Sequence, residues 1–195
     1  EDRFFEAMSI YSFFAILGTS NHILPYKNLD ELANSFDISK FSKSPTTYMP
    51  EELEILNHKY VINLEFSEVE KHLKEIGLDL LDKNFWDSIK PNLKTINDAK
   101  LWWDICHNYS KIDLDPGDKE MLRISIDLLP KDNFTSNSWL QWTSKIKEKT
   151  GRAGKNLFMP LRYSLTGLDY GPELANLLPL IGLEEIKRRL EISTN

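Results

Sequence analysis

Thr150-Gly-Arg-Ala-Gly-Lys-Asn-Leu-Phe-Met-Pro-Leu-Arg-Tyr-Ser-Leu-Thr-Gly-Leu-Asp-Tyr-Gly-Pro-Glu-Leu174 reads as a basic glycine loop, an arginine-bearing helix, a glycine-proline turn and the start of another helix. Upstream, Trp139, Trp142 and Ile146 share one face at spacings of three and four, and Lys145 and Lys149 border it. Gly151 follows as a left-handed cap, so 138–149 is expected to be a helix that ends in the basic loop. Between residues 143 and 162, Lys145, Lys147, Lys149, Arg152, Lys155 and Arg162 face Glu148 alone. The whole chain has 24 Lys and Arg against 30 Asp and Glu. A cationic patch on an acidic background is expected to attract a phosphate backbone locally.

Helix signals dominate the rest of the sequence. Asn28 with Glu31, and Ser67 with Glu70, have the cap-then-acid spacing that satisfies the orphan amides of a first turn. Pro50, Pro116 and Pro172 suit a first helical turn, where a missing N–H costs nothing. Asp115-Pro116-Gly117-Asp118 leads into Met121, Leu122, Ile124, Leu128 and Leu129, an apolar set at mostly helical spacing. The expected fold is all-α and multihelical, with subdomains in series at 1–66, 67–130 and 131–195. The breaks are placed at the Ser67 cap and at the polar connector 130–136.

Composition excludes several classes. One cysteine, Cys106, leaves no internal disulfide, and a reducing cytoplasmic home is expected. The longest apolar run, Phe13 to Leu17, is too short to span a bilayer, and no membrane partner is expected. His22, His58, His72 and His107 lack metal-ligand spacing, and Cys106 and His107, being adjacent, point in different directions on a helix. The eight glycines form no phosphate cradle, and no nucleophile motif is present. Trp102, Trp103, Trp139 and Trp142 are read as core rather than as base-stacking groups. The start at Glu1 rather than Met is read as an internal piece of a longer protein.

Three stretches carry a family resemblance. Lys155-Asn-Leu-Phe-Met-Pro-Leu-Arg-Tyr-Ser-Leu-Thr-Gly167 with Gly171-Pro-Glu-Leu174 resembles the pattern K-x-L-F-x-P-L-R-x-x-L-T-G then G-P-E-L of bacterial glutamyl-tRNA synthetases, in their C-terminal anticodon-binding region. Phe36-Asp-Ile-Ser-Lys-Phe-Ser-Lys-Ser-Pro45 with Pro50-Glu-Glu-Leu-Glu-Ile-Leu-Asn-His-Lys-Tyr60 is similar to the family's segment after the catalytic domain. The stretch from Glu6 to Ser20 resembles the helix after the family's signature lysine loop, so the resemblance covers essentially the whole chain.

The resemblance implies stem contact by 1–66 and anticodon binding by 67–130 and 131–195. It implies anticodon contacts at Met159, Arg162, Gly171, Pro172 and Leu174, beside the basic residues Lys149, Arg152 and Lys155. Arg162 can donate to a base edge or a phosphate, Pro172 and Leu174 can offer apolar contact, and Gly171 permits close approach. Ile89-Lys-Pro-Asn-Leu-Lys-Thr-Ile96 resembles a segment in which the family has an arginine that separates glutamate tRNA from glutamine tRNA; here Asn92 stands in its place, with Lys90 nearby as a substitute. Relaxed discrimination is the expectation, with tRNA(Glu) as partner and tRNA(Gln) as a second. The resemblance places ATP, magnesium and catalysis in a preceding catalytic half, so no catalytic, cofactor-binding or metal residue is assigned here, and a monomer is expected. The rival reading is a helical protein-interaction module that has lost tRNA binding.

Overall fold

The computed structural model describes residues 4–20, 22–108 and 113–194. Among the described residues the chain forms eleven α-helices and no strand; Thr19 and Phe41 make one isolated antiparallel bridge. The all-α expectation holds. The chain divides into two compact units, 1–100 and 101–195. Residue 66 is the first of α4, and residue 130 lies in the α7–α8 connection.

The first unit holds α1 (Ala7–Ile16), α2 (Leu29–Ser35), α3 (Pro50–Val61), α4 (Phe66–Glu75) and α5 (Lys83–Ile89), with single 3₁₀ turns at Ile38–Lys40, Lys90–Asn92 and Ile96–Asp98. Helix α1 packs on α3 through Phe13, Leu53 and Leu56. Trp86 is fully buried in α5 and donates Nε1–H to the Leu64 carbonyl at 3.1 Å, so its indole is satisfied inside the core. The Asn28 cap forms as expected: its Oδ1 accepts the Glu31 amide at 2.9 Å, and Glu31 accepts the Lys27 amide at 2.7 Å. Pro50 opens α3. Ser67 is not a cap. Glu65 takes that position, and its amide donates to the Glu68 carboxylate at 2.7 Å, which starts α4 two residues before the expected site.

The second unit contains most of α6 (Ala99–His107), then α7 (Pro116–Asp127), α8 (Ser136–Thr150), α9 (Lys155–Thr166), α10 (Leu174–Ile181) and α11 (Leu183–Thr194). Helix α11 packs on α7 and α9, and α8 packs on α7 and α10. Trp142 and Ile146 are buried on one face of α8, as their spacing predicts, and Trp142 Nε1–H donates to Ser125 O at 2.8 Å, fixing α8 on α7. Pro116 opens α7 as expected, but Pro172 precedes the Glu173 cap of α10 and lies outside its first turn.

Candidate nucleic-acid interface

Helix α8 ends where its sequence says it should. Gly151 has φ +69° and its amide closes the last turn onto Lys147 O. Lys145, Lys147 and Lys149 are exposed along α8, and Lys155 is exposed at the start of α9, four residues past Gly151. None of the four makes an ion pair among the described residues. Their charge faces solvent.

Arg152 is different. Its Nη1 binds the Asp118 carboxylate and also donates to Asn156 O at 3.2 Å, while Nη2 donates to Gly117 O at 2.9 Å. The Asn156 contact has a local cause. Pro160 lies four residues on inside α9 and has no N–H to give, so the Asn156 carbonyl loses its intrahelical donor. Arg152 supplies a replacement. The residue expected to form part of the basic loop is a tether between that loop and the start of α7, and Asp118 offsets its charge. Asp118, Arg152, Lys155, Asn156, Met159 and Pro160 line an open cleft of about 430 Å³, with Met159 half-buried in its wall.

Arg162 and the glycine-proline turn are brought together. Arg162 Nη1 donates to Tyr170 O at 3.2 Å and Nη2 to Pro172 O at 2.9 Å. The guanidinium is half-buried, and burial draws its pKa below the usual arginine value. Two of its donors hold the turn, while Nε and one hydrogen on each terminal nitrogen are not used among the described residues.

Pro172 is buried and Leu174 is 4% exposed, so both side chains pack in the core and stand away from solvent. The apolar surface expected to meet splayed bases is thus held by packing within the chain. Gly171 has φ +121°, and a Cβ there would lie 2.0 Å from Cη2 of Trp102. The close approach that requires glycine at this position is therefore made by the buried Trp102 indole. Gly171→Ala is expected to lower stability by about 1–3 kcal/mol through steric overlap and backbone strain. Urea unfolding followed by tryptophan fluorescence checks this, and an unchanged midpoint would rule the close contact out.

In the first unit, Asn92 is exposed at the end of its 3₁₀ turn, and the segment after it is held from both sides. His58 Nδ1 meets Leu93 O at 2.7 Å, so that nitrogen carries the proton. Asn57 Nδ2 donates to Lys94 O at 2.6 Å, and Asp98 accepts the amides of Lys94 and Thr95 at 2.9 and 2.8 Å. Asn92 thus projects from a fixed platform beside a cleft lined by Ile55, His58, Pro91 and Lys94. Lys90 does not stand in for an arginine there: its ammonium pairs with Asp87 at 3.1 Å and reaches Leu64 O at 3.4 Å.

Cys106 is buried, which pushes its thiol up to about 12 and keeps it protonated, whereas His107 is exposed. Trp102 is core; Trp103 is half-buried and stacks on His107 with centroids 3.9 Å apart. Two residues of consequence carry no signal that sequence spacing could rank. One is Tyr170, 57% exposed beside the Arg162-bound turn. The other is Arg189, fully buried in α11, whose guanidinium binds Glu185 at 2.7 Å and the carbonyls of Ile105, Cys106 and Leu165 at 2.9, 2.8 and 2.7 Å.

Comparison with known proteins covers the candidate residues of both units. The anticodon binding domain family matches residues 68–193, which include every candidate residue from Asn92 to Leu174. The chain is 53% identical over 185 residues to glutamate–tRNA ligase 1 of Rickettsia felis and 54% identical to that of Rickettsia conorii, covering 95% of this chain in each case. It spans about 41% of the length of those relatives. Its fold is like part of a crystal structure of a glutamate tRNA ligase from Elizabethkingia meningosepticum, with a TM-score of 0.75 at 18% identity over 96% of this chain and 40% of that one. Among the described residues no helix is long and apolar enough to cross a membrane. A family match over more than half of the chain, on an all-α fold, is decisive: the chain belongs to the anticodon binding domain family.

Proposed function

We propose that this chain is the tRNA-reading part of a glutamate–tRNA ligase, acting in the cytoplasm as a monomer. Its role is to hold tRNA(Glu) by the stem and anticodon, while ATP and magnesium serve the catalytic part of the whole ligase. The observation that carries this reading is the coincidence of the family match with exposed lysines that make no ion pair among the described residues. Lys145, Lys147, Lys149 and Lys155 stand exposed at the α8–α9 corner, on a chain with a net charge of −6. Such a cationic surface attracts a phosphate backbone. Arg162 lies on the helix that this corner opens, and the turn it holds follows that helix.

A finer reading concerns specificity. Asn92 is uncharged, shorter than arginine and exposed, and Lys90 is committed elsewhere. An asparagine amide both donates and accepts, so it tolerates different base edges where an arginine, a donor only, selects one. Relaxed discrimination, with tRNA(Gln) also bound, follows. Mobility shift of unmodified tRNA(Glu), tRNA(Gln) and an anticodon-swapped tRNA tests both statements. The expected result is retarded tRNA(Glu), tRNA(Gln) within about tenfold of it, and a weaker swapped control. No shift of tRNA(Glu) would favour the protein-interaction module, and a strong preference for tRNA(Glu) would reject relaxed reading alone.

A further inference from the structure

We infer that Tyr170 is a stacking platform for one unpaired nucleobase of the bound RNA; this rests on the tRNA-binding reading. The starting point is that a phenol ring stands 57% exposed on a part of the chain that is otherwise pinned. Its own carbonyl accepts from Arg162 at 3.2 Å, and the carbonyl of Pro172, two residues on, accepts from the same guanidinium at 2.9 Å. The ring makes one T-shaped contact, with Trp102, at a centroid distance of 6.2 Å and an interplanar angle of 84°. Trp102 is itself fixed, buried over Gly171 in space that any Cβ there would enter. Tyr170 is therefore held from below while most of its surface faces solvent. An aromatic ring ordered before binding loses little conformational freedom when a flat partner arrives.

The surroundings select the partner. Arg162 places a cation at the Tyr170 carbonyl, and the exposed lysines of α8 and the start of α9 offer phosphate contacts within the same unit. A π-face next to positive charge, in a protein that tracks a nucleic-acid backbone, is the arrangement that receives unstacked bases. Met159 is half-buried and has no π-face, so it does not fill this role. Stacking tolerates any base. Tyr170 thus contributes affinity and orientation, and sequence choice falls to polar groups. In this arrangement Arg162 acts partly as a positioning residue, setting the platform through the Tyr170 carbonyl.

The test uses the full chain, tRNA(Glu) in mobility shift, and a tRNA(Glu) carrying 2-aminopurine in the anticodon loop, whose fluorescence falls when the base stacks on a side chain. Tyr170→Ala is expected to weaken binding about ten- to a hundredfold and to abolish the quench. Tyr170→Phe is expected to keep both, since it retains the ring. The Arg162 hydrogen bond goes to backbone, so Tyr170→Ala leaves it in place, and an unchanged melting temperature checks this. The salt dependence of binding should not move, because every phosphate partner is still present. If wild-type protein binds and Tyr170→Ala binds equally well or quenches equally, the platform is overturned while tRNA binding stands. If wild-type protein does not bind, both fall.

Discussion

Arg189→Met is expected to destabilise the second unit by about 3–5 kcal/mol, measured as a shift in the urea unfolding midpoint. The Arg189 guanidinium is fully buried, and among its acceptors are three carbonyls from two other helices, Ile105 and Cys106 on α6 and Leu165 on α9. Methionine fills similar space but donates nothing, so these carbonyls are left in the core without that partner, and an unpaired buried acceptor costs its full desolvation. The loss is distributed: α11 is the element that the arginine ties to α6 and α9. A midpoint unchanged within about 0.5 kcal/mol would show that the network is replaceable by apolar packing, as some buried ionic groups are.

The same network has a pH signature. Hydrogen bonds from Arg188 first, and then from Arg189, hold the Glu185 carboxyl down to about 2 from 4.5. The folded value lies below the unfolded one, so the stabilisation is complete above the unfolded value and is lost as pH falls from about 4.5 through about 2. Glu185→Gln should flatten that part of the acid unfolding curve while leaving its neutral part much less changed.

What the sequence made legible was local. Gly151, Pro50, Pro116 and the Asn28 cap each act within one helical turn, and each is where its chemistry requires. Ser67 failed because a competing cap, Glu65 with Glu68, starts the helix and satisfies its first amides two residues earlier. Arg189 could not be read at all. Its carbonyl partners lie 24 to 84 residues away, and nothing in the run Lys187-Arg188-Arg189 distinguishes the buried arginine from its exposed neighbours. At the candidate interface, the pattern from Lys155 to Leu174 located the surface but not the duties within it. Leu174 and Pro172 serve the core, Gly171 serves Trp102, and Arg152 serves Asp118 and a proline-orphaned carbonyl. A motif records which residues are constrained, while burial decides whether the constraint comes from packing or from a ligand.

That division determines how the electrostatic claim must be tested. Reversing Arg152 would set a carboxylate against Asp118 and break the tether to α7, so weakened binding would report damaged structure. Lys145, Lys149 and Lys155 have no such duty. They are exposed and make no ion pair among the described residues, and their reversal to glutamate should leave the melting temperature nearly unchanged. Binding should respond strongly. Each reversal removes one counterion-releasing cation and adds a repulsive charge, so the triple variant is expected to bind tRNA(Glu) at least about a hundredfold more weakly at low salt. The plot of log affinity against log salt should become shallower by about one for each phosphate no longer neutralised, which a folding defect would not imitate. Full affinity with an unaltered slope would place the RNA backbone away from the α8–α9 corner. In that event the cations there are a solvated helix face, and Tyr170 is left without the neighbours that select its partner.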